Sequence, residues 1–263
     1  MYPTLLRIGS IRIDSYSVVW FIALSLAILW GIRRLKLYSL DEDESRRVMA
    51  ISFLCMMLGA RSPEYFVNWR EYLAQPSLFL DLNRGSLYEF GAVAGAFVSA
   101  LVMCLFSKKI SFLKLCDVAI IPAFLAIAVG RWGCFLNGCC VGNVTDFCLG
   151  VHFPNDKAGI LRHPTQIYYS IIAGAIVLIL MFAERKILPL QRGKQRHYSV
   201  LAPLGIILYA AMRFSVALVR YPNPASLLSI HMWTYRWLLL ALPFVCIWLV
   251  YSLLRLKADS SHK

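Results

Sequence analysis

Long apolar runs separated by short polar segments make up most of this chain. Seven runs are candidate membrane-spanning helices, and they cover residues 14–32, 48–62, 87–106, 116–131, 166–183, 199–219 and 233–254. A helix needs about 20 apolar residues to cross the hydrocarbon layer of a bilayer. The second and fourth runs are shorter than that, so they must extend into their polar flanks or lie inside a bundle. The pattern predicts an all-α integral membrane protein, with about seven helices forming a single polytopic domain over residues 1–263.

Composition agrees with a membrane location. Hydrophobic residues make up 59% of the chain and charged residues only 16%, whereas a soluble domain carries about 25% charged residues. The formal net charge is +13, but the basic residues lie in short groups between apolar runs. Such groups are typical of loops that face anionic lipid. The composition therefore favours the lipid bilayer as a partner and argues against nucleic acid.

The basic residues also predict an orientation. They concentrate in segments 33–47, 107–114 and 185–196 and after the last run. Because cytoplasmic loops are enriched in lysine and arginine, these segments and the C-terminus are predicted to be cytoplasmic and the N-terminus external. Two long segments, about 63–86 and 132–165, are then external. Loops of that length are often functional.

Arg131 stands at the end of the fourth run, within the glycine-punctuated segment 130–142. Arginine at the edge of the hydrocarbon layer is energetically expensive, and it persists mostly where it pairs with an anion or lines a wet cavity. Glycines nearby let backbone N–H groups approach a ligand. The segment predicts an anion site for a phospholipid headgroup, with Asn137 as a partner of Arg131. The alternative is an arginine that only extends to the membrane interface.

Arg213 lies inside the sixth run. Tyr209 precedes it by one helical turn, and Arg220 follows seven residues later on the same face. If this face points into the bundle, it offers a positive stripe suited to a phosphate or a developing oxyanion. The alternative is that both arginines are ordinary cations at the membrane edge. This interpretation fits Arg220 well and Arg213 poorly.

The segment Arg162-His163-Pro164-Thr165-Gln166 precedes the fifth run. Proline followed by threonine or glutamine resembles a helix start. Two roles are equally well supported by the residues: the segment only starts this helix, or it contacts the substrate directly.

Four cysteines and a histidine share the second external segment: Cys134, Cys139, Cys140, Cys148 and His152. A zinc site is one interpretation, but adjacent cysteines without C-x2-C spacing match the usual ligand patterns poorly. A disulfide is better supported if the segment faces an oxidising exterior. We therefore predict neither a metal site nor a cofactor.

Three motifs resemble the signature of bacterial prolipoprotein diacylglyceryl transferases. They are Gly130-Arg131-Trp132-Gly133 with Phe135, Asn137, Gly138 and Gly142; Arg162-His163-Pro164-Thr165-Gln166 with Tyr168; and Tyr209 with Arg213, Arg220 and Pro222. Gly59-Ala60-Arg61 and Tyr16 match further elements. The resemblance implies a multi-pass enzyme of the bacterial cytoplasmic (inner) membrane. It would transfer diacylglyceryl from phosphatidylglycerol to the lipobox cysteine thiol in the signal peptide of a preprolipoprotein, and glycerol-1-phosphate would leave.

Five positions depart from the family pattern. Glu89 stands where the family has the histidine of a His-Gly-Gly element. An asparagine is replaced by Cys134 and a glutamate by Cys139, while Tyr169 and Ala217 stand at acidic positions. The retained arginines imply that the lipid donor site is kept. The replacements leave open two alternatives: a related membrane glycerolipid or phosphoglycerol transferase with a different acceptor, and a non-enzymatic lipid-binding membrane protein.

The residues and the resemblance together predict the following roles. Arg131 and Arg213 hold the phosphate and stabilise the leaving group, with assistance from Arg220. Glu89 is the candidate base for the acceptor thiol, provided that burial makes it basic enough. The other predicted substrate-binding residues are Tyr16, Asn137, Gly138, Gly142, Arg162, His163 and Tyr209.

The predicted orientation is testable by cysteine-accessibility labelling. A cysteine near position 150 should react with a membrane-impermeant maleimide added outside. Cysteines in segments 33–47, 107–114 and 185–196 should react only after the membrane is opened. Labelling near position 150 from the cytoplasmic side alone would contradict the seven-span arrangement.

Overall fold

The computed structural model describes residues 1–8, 11–77, 88–107, 109–154, 156–191, 198–220 and 233–261. Its helices are α1 (Ser15–Leu35), α2 (Glu42–Val67), α3 (Trp69–Ala74), α4 (Glu89–Phe106), α5 (Phe112–Asn137), α6 (Thr165–Gln191), α7 (Leu201–Arg220) and α8 (Trp233–Ser261). A short antiparallel hairpin, β1 (Thr4–Ile8) and β2 (Ile11–Asp14), precedes them. Outside the described residues lie Pro222 of the third motif, residues 78–86 of the predicted external segment 63–86, and residues 192–196 of a predicted cytoplasmic loop.

Within the described residues, six helices are long and apolar enough to cross a membrane: α1, α4, α5, α6, α7 and α8. They coincide with six of the seven predicted runs, which confirms the prediction of an all-α membrane protein. The remaining run, 48–62, lies inside α2, whose first turns carry Glu42, Asp43, Glu44, Arg46 and Arg47. The number of spans and the orientation stay predictions.

The structure differs from the sequence prediction at the ends of two helices beside the predicted external segments and in a hairpin before α1. Helix α5 continues to Asn137, whereas the fourth run was predicted to end at residue 131. The segment from Trp132 to Asn137 is therefore helical rather than a turn, and Gly133 within it packs against α1. Similarly, α2 continues to Val67, into the segment predicted to be an external loop from residue 63. The hairpin before α1 was not predicted.

Contacts divide the chain into two units. The smaller unit comprises residues 35–115 and the larger unit comprises residues 1–34 with 116–263. In the smaller unit, α2 and α4 pack with their backbones in contact. A Cβ added at Gly59 would collide with the carbonyl of Gly91, and one at Gly95 would collide with the carbonyl of Cys55. Such contact of small residues replaces the hydrophobic effect as the source of helix association in lipid.

In the larger unit, a buried ion pair and a neighbouring carboxylate together join four helices at one end. The two terminal nitrogens of Arg34 on α1 each donate to a carboxylate oxygen of Glu184 on α6, at 2.7 Å. The Nε of Arg34 donates to the carbonyl of Val118 on α5 at 3.0 Å. Next to it, the carboxylate of Asp117 accepts from the backbone N–H of Ala202 at 2.8 Å, which caps the start of α7. Both charges of the pair are therefore satisfied where water is scarce.

We predict that Glu184→Ala strongly destabilises the protein, because it leaves the Arg34 guanidinium buried without its counter-charge. Breaking a buried pair in this way costs about 3–5 kcal/mol, or roughly 10 °C in the apparent Tm. The measurement is thermal unfolding in detergent. The matched control is Glu42→Ala, which removes an exposed helical pair with Arg46 and should shift Tm by about 1–2 °C. Equal shifts in the two variants would contradict the role of the buried pair.

Candidate active site

The two arginines singled out by the sequence lie against the same aromatic ring. The guanidinium carbon of Arg131, on α5, is 4.3 Å from the ring centroid of Tyr169 on α6. That of Arg213, on α7, is 5.9 Å from the same centroid and 5.2 Å from the ring of Tyr235 on α8. Tyr169 and Tyr235 are each 1% exposed, and Arg213 is 7% exposed. Four helices thus bring two cations and two buried aromatic rings together, with Arg213 buried and Arg131 half-buried.

Buried polar atoms of Arg131, of Tyr169 and of the α1 residue packed against Gly130 have no hydrogen-bond partner among the described residues. They are the Nε of Arg131, the hydroxyl of Tyr169 and the indole nitrogen of Trp20, all of them buried. All three groups can donate a hydrogen bond. A buried donor left unsatisfied costs about 1–3 kcal/mol, so the arrangement favours a ligand rich in acceptor oxygens. A phosphate is such a ligand.

Helix α1 packs tightly beside Arg131, through glycines of the first motif. A Cβ added at Gly130 would come within 2.8 Å of the Trp20 ring, and one at Gly133 would come within 3.2 Å of the Tyr16 carbonyl. The ring centroids of Tyr16 and Trp20 are 6.3 Å apart. These two glycines therefore serve helix packing, and they bring Tyr16 next to the α5 turn that carries Arg131.

The chain after α5 turns sharply and is held by the start of α6. Gly138 and Cys140 have positive φ angles of 70° and 61°. The hydroxyl of Thr165 donates to the Cys140 carbonyl at 2.6 Å, and the side-chain amide of Gln166 donates to the Cys139 carbonyl at 2.5 Å. Thr165 and Gln166 are fully buried. Helix α6 begins at Thr165, as Pro164 predicts, and its first two side chains fix the cysteine-containing turn.

Three thiols meet at this turn. The Sγ atoms of Cys134, Cys139 and Cys140 all lie within 4.8 Å of one another, and all three cysteines are free. Hydrogen bonds with the thiols of Cys134 and Cys139, together with the positive charges of Arg220 and Arg131, lower the pKa of the Cys140 thiol well below its ordinary value. The thiol cluster lies next to Arg131 along the chain, because Cys134 follows Arg131 by three residues on α5.

The loop that returns to α6 closes over Gly142. The backbone N–H of Gly142 donates to the carbonyl of His163 at 3.0 Å. A Cβ added at Gly142 would come within 2.8 Å of atoms of His163 and Thr165. Arg162 donates from Nε to the carboxylate of Asp156 at 2.8 Å, and this bond holds the pKa of Asp156 below its ordinary value. The Nδ1 of His163 lies 3.1 Å from the hydroxyl of Tyr168.

The remaining predicted site residues occupy varied environments. Tyr209 is half-buried, with its ring centroid 6.5 Å from that of Phe124. Arg220 is half-buried as the last residue of α7, and Asn137 is exposed as the last residue of α5. Glu89 is the exposed first residue of α4, in the smaller unit. The burial that a base at Glu89 requires is therefore not provided by its own unit.

The sequence analysis missed three aromatic residues of the site: Trp20, Tyr169 and Tyr235. Tyr169 was interpreted as a lost acid. Its position directly after the second motif, in the first turn of a helix, was the available signal. Trp20 lies one turn after Tyr16, on the same helical face, so the spacing could have suggested it. The sequence gives no signal for Tyr235, because its place at the site depends on how α8 packs against α7.

The described residues thus form a multi-pass membrane protein that has a cationic, donor-rich site between its helices. A family model described as prolipoprotein diacylglyceryl transferase matches residues 3–253, and the chain belongs to that family.

Several curated relatives support the same assignment, and each is named phosphatidylglycerol–prolipoprotein diacylglyceryl transferase. The one from Clostridium novyi (strain NT) is 32% identical over 193 residues, which is 71% of this chain and 74% of the relative. The one from Ehrlichia ruminantium (strain Welgevonden) is 28% identical over 223 residues, 84% of both chains. The one from Geobacter sulfurreducens is 25% identical over 224 residues, 84% of this chain and 83% of the relative.

The close fit at Gly142 is testable by a pair of glycine variants. We predict that Gly142→Ala displaces the loop from His163 and Thr165, lowers Tm in detergent and reduces activity by at least about 10-fold. Gly174→Ala is the matched control, because a Cβ at this position on α6 meets nothing within 4 Å. It should leave Tm unchanged or raise it slightly, since alanine favours a helix over glycine. A Gly142→Ala protein with unchanged Tm and activity would contradict the described loop packing.

Proposed function

We propose that this protein transfers the diacylglyceryl group of phosphatidylglycerol to the thiol of the lipobox cysteine of a preprolipoprotein, in the bacterial cytoplasmic membrane. The observation that carries the proposal is the pair of arginines around Tyr169, with buried donors that lack partners among the described residues. Family membership supplies the donor lipid and the acceptor protein.

The reaction needs a site that binds more negative charge in the transition state than in the ground state. The acceptor sulfur attacks the glyceryl carbon bonded to the phosphate oxygen, the carbon–oxygen bond breaks, and glycerol-1-phosphate leaves. Because the phosphodiester carries one negative charge and the leaving monoester gains a second, Arg131 and Arg213 stabilise the departing group more than the bound lipid. Two cations beside buried aromatic rings, where the effective dielectric constant is lower than in water, are suited to that difference.

Tyr169 contributes to this charge balance. A carboxylate at this position would pair with an arginine and neutralise it, whereas an aromatic ring attracts guanidinium groups without cancelling their charge. Tyr169 therefore contacts both arginines without neutralising either of them. We propose that Tyr169 is a positioning residue for Arg131 and Arg213.

The other predicted residues complete the proposed site. Arg220 adds positive charge near the leaving group. Tyr16 and Tyr209 offer hydroxyls near the scissile carbon. The remaining proposed substrate-binding residues are Asn137, Gly138, Gly142, Arg162 and His163, all of which lie in or beside the loop between α5 and α6.

A second candidate function keeps the donor site and changes the acceptor. The exposure of Glu89 favours it, because the described residues do not bury the predicted base and packing therefore does not support its role in thiol activation. The assay below separates the two functions.

We predict that Arg131→Ala and Arg213→Ala each reduce transfer by about 10²-fold or more, because each loses charge-assisted bonds to the phosphate. Lysine at either position keeps the charge but loses the bidentate geometry, so rescue should be partial. The measurement is mass-spectrometric detection of the diacylglyceryl thioether, with purified protein, phosphatidylglycerol and a lipobox peptide. Arg185→Ala, an exposed arginine on α6, is the control. Control-level turnover in both alanine variants at the site would rule out the proposed donor site.

The same assay identifies the acceptor. A thioether on the peptide, absent when its cysteine is replaced by serine, is the expected product. If no thioether forms on the peptide but the headgroup is released in membrane extract, the lipoprotein acceptor is rejected and a different acceptor is supported. In parallel, Glu89→Gln should abolish transfer if Glu89 is the base, and transfer at control level would exclude it from that role.

A further inference from the structure

The cluster of Cys134, Cys139 and Cys140 has no role in the function proposed so far. Its three Sγ atoms lie within 4.8 Å of one another. Tetrahedral zinc with Zn–S bonds of about 2.3 Å holds its sulfurs about 3.8 Å apart. The thiols therefore need to move together by only about 1 Å to share one ion. A disulfide would require a sulfur–sulfur distance of about 2.0 Å and would leave the third thiol unused.

The backbone at this cluster is held in an uncommon conformation. Adjacent residues in extended backbone point their side chains in opposite directions, so two neighbouring cysteines do not normally converge. Here Cys140 has a φ of 61°, which costs an L-residue about 1–3 kcal/mol and persists where the surroundings enforce it. Gln166 and Thr165 hold the carbonyls of Cys139 and Cys140. The turn brings the thiols of both residues next to that of Cys134.

We propose that Cys134, Cys139 and Cys140 bind one thiophilic divalent cation of the zinc class, whose fourth position takes the acceptor thiol. This proposal rests on the proposed function for its acceptor. Three protein ligands and one open position are typical of catalytic zinc. A thiol that coordinates such an ion is deprotonated. The cation would generate the nucleophile that the transfer requires. This chain lacks the histidine and the glutamate of the family pattern, because Glu89 and Cys139 stand at those positions.

The cluster also lies in a suitable electrostatic setting. Three thiolates and a divalent cation would carry a net charge of −1, and Arg131 lies on the same face of α5 as Cys134, one helical turn away. Arg131 belongs to the site that binds the lipid phosphate. The acceptor thiolate and the lipid phosphate would therefore bind in neighbouring parts of one site, with the sulfur approaching the glyceryl carbon from the side opposite the leaving oxygen.

The step balances without an oxidant or a reductant. The acceptor thiol loses its proton on coordination, and its sulfur forms a bond to the glyceryl carbon. The carbon–oxygen bond breaks, and its electron pair stays on the phosphate oxygen. The released proton is taken up by glycerol-1-phosphate. The neutral thioether product binds the cation more weakly than a thiolate does, which favours its release.

The first experiment measures binding, independently of activity. Full-length protein is purified in detergent under reducing conditions, loaded with Zn²⁺ or Co²⁺, and desalted. We expect one zinc per chain by mass spectrometry and, with Co²⁺, a thiolate-to-cobalt charge-transfer band. Both signals should be lost in Cys134→Ser, Cys139→Ser and Cys140→Ser. Cys148→Ser, an exposed cysteine of the same loop, is the matched control and should retain them.

A second variant separates loss of the ligand from loss of the fold. Cys139→His keeps a metal ligand, so zinc should stay bound while the cobalt band falls by about one third, because one of three thiolates is gone. Wild-type protein with free thiols that binds neither Zn²⁺ nor Co²⁺ would overturn the proposal. So would full zinc binding in the serine variants, or a Cys134–Cys139 or Cys134–Cys140 disulfide in the protein isolated without reductant.

The second experiment tests the open position. Adding a lipobox peptide to the cobalt-loaded protein should raise the charge-transfer band by about one third, as a fourth thiolate binds. A peptide with serine in place of the cysteine should not. If transfer proceeds at the full rate in protein verified to be metal-free, the proposed metal role is overturned while the proposed function stands. If the cation binds through the three cysteines but no thioether forms, the metal site stands and the lipoprotein acceptor fails.

Discussion

Two positive charges held around one buried ring are the constraint on which the rest of the site depends. Arg131 and Arg213 both lie against Tyr169, among helices apolar enough to cross a membrane. Because both arginines lie against one ring, their guanidinium carbons are no more than about 10 Å apart, and at an effective dielectric constant of about 20 two like charges at that limit repel by about 2 kcal/mol. The aromatic faces of Tyr169 and Tyr235 offset part of this repulsion. A bound phosphate would lower the repulsion further, and this favours the binding of an anion between the two arginines.

The scaffold keeps the two charges together by fixing the helices that carry them. The Arg34–Glu184 pair and the carboxylate of Asp117 tie α1, α5, α6 and α7 at one end of the larger unit. At the site itself, Gly130 and Gly133 let α1 approach α5. Rigid contacts on both sides of the site reduce the reorganisation needed when charge develops on the leaving group, which is the condition for electrostatic catalysis.

The sequence predicted those features that follow from local chemistry. Six of the membrane helices are evident because a hydrocarbon layer requires long apolar runs. Arg131 and Arg213 stood out because an arginine in such a run is expensive. The helix start at Thr165 followed from Pro164. Features that depend on non-local packing were not predictable: the extension of α5 to Asn137, the hydrogen bonds from Thr165 and Gln166 to the cysteine turn, and the stacking of both arginines on Tyr169.

The most direct measurement for the account is equilibrium binding of phosphatidylglycerol to the purified protein, with phosphatidylcholine as the comparison lipid. The measurement is made on the wild type, on the single alanine variants at Arg131 and Arg213, and on the double variant. The account predicts that wild type prefers phosphatidylglycerol and that each single variant loses at least about 10-fold in affinity, as expected for a lost charge-assisted bond. The double variant should lose less than the product of the two, because both arginines hold the same phosphate. Undiminished phosphatidylglycerol affinity in the double variant would contradict the central claim that these two arginines form the lipid site.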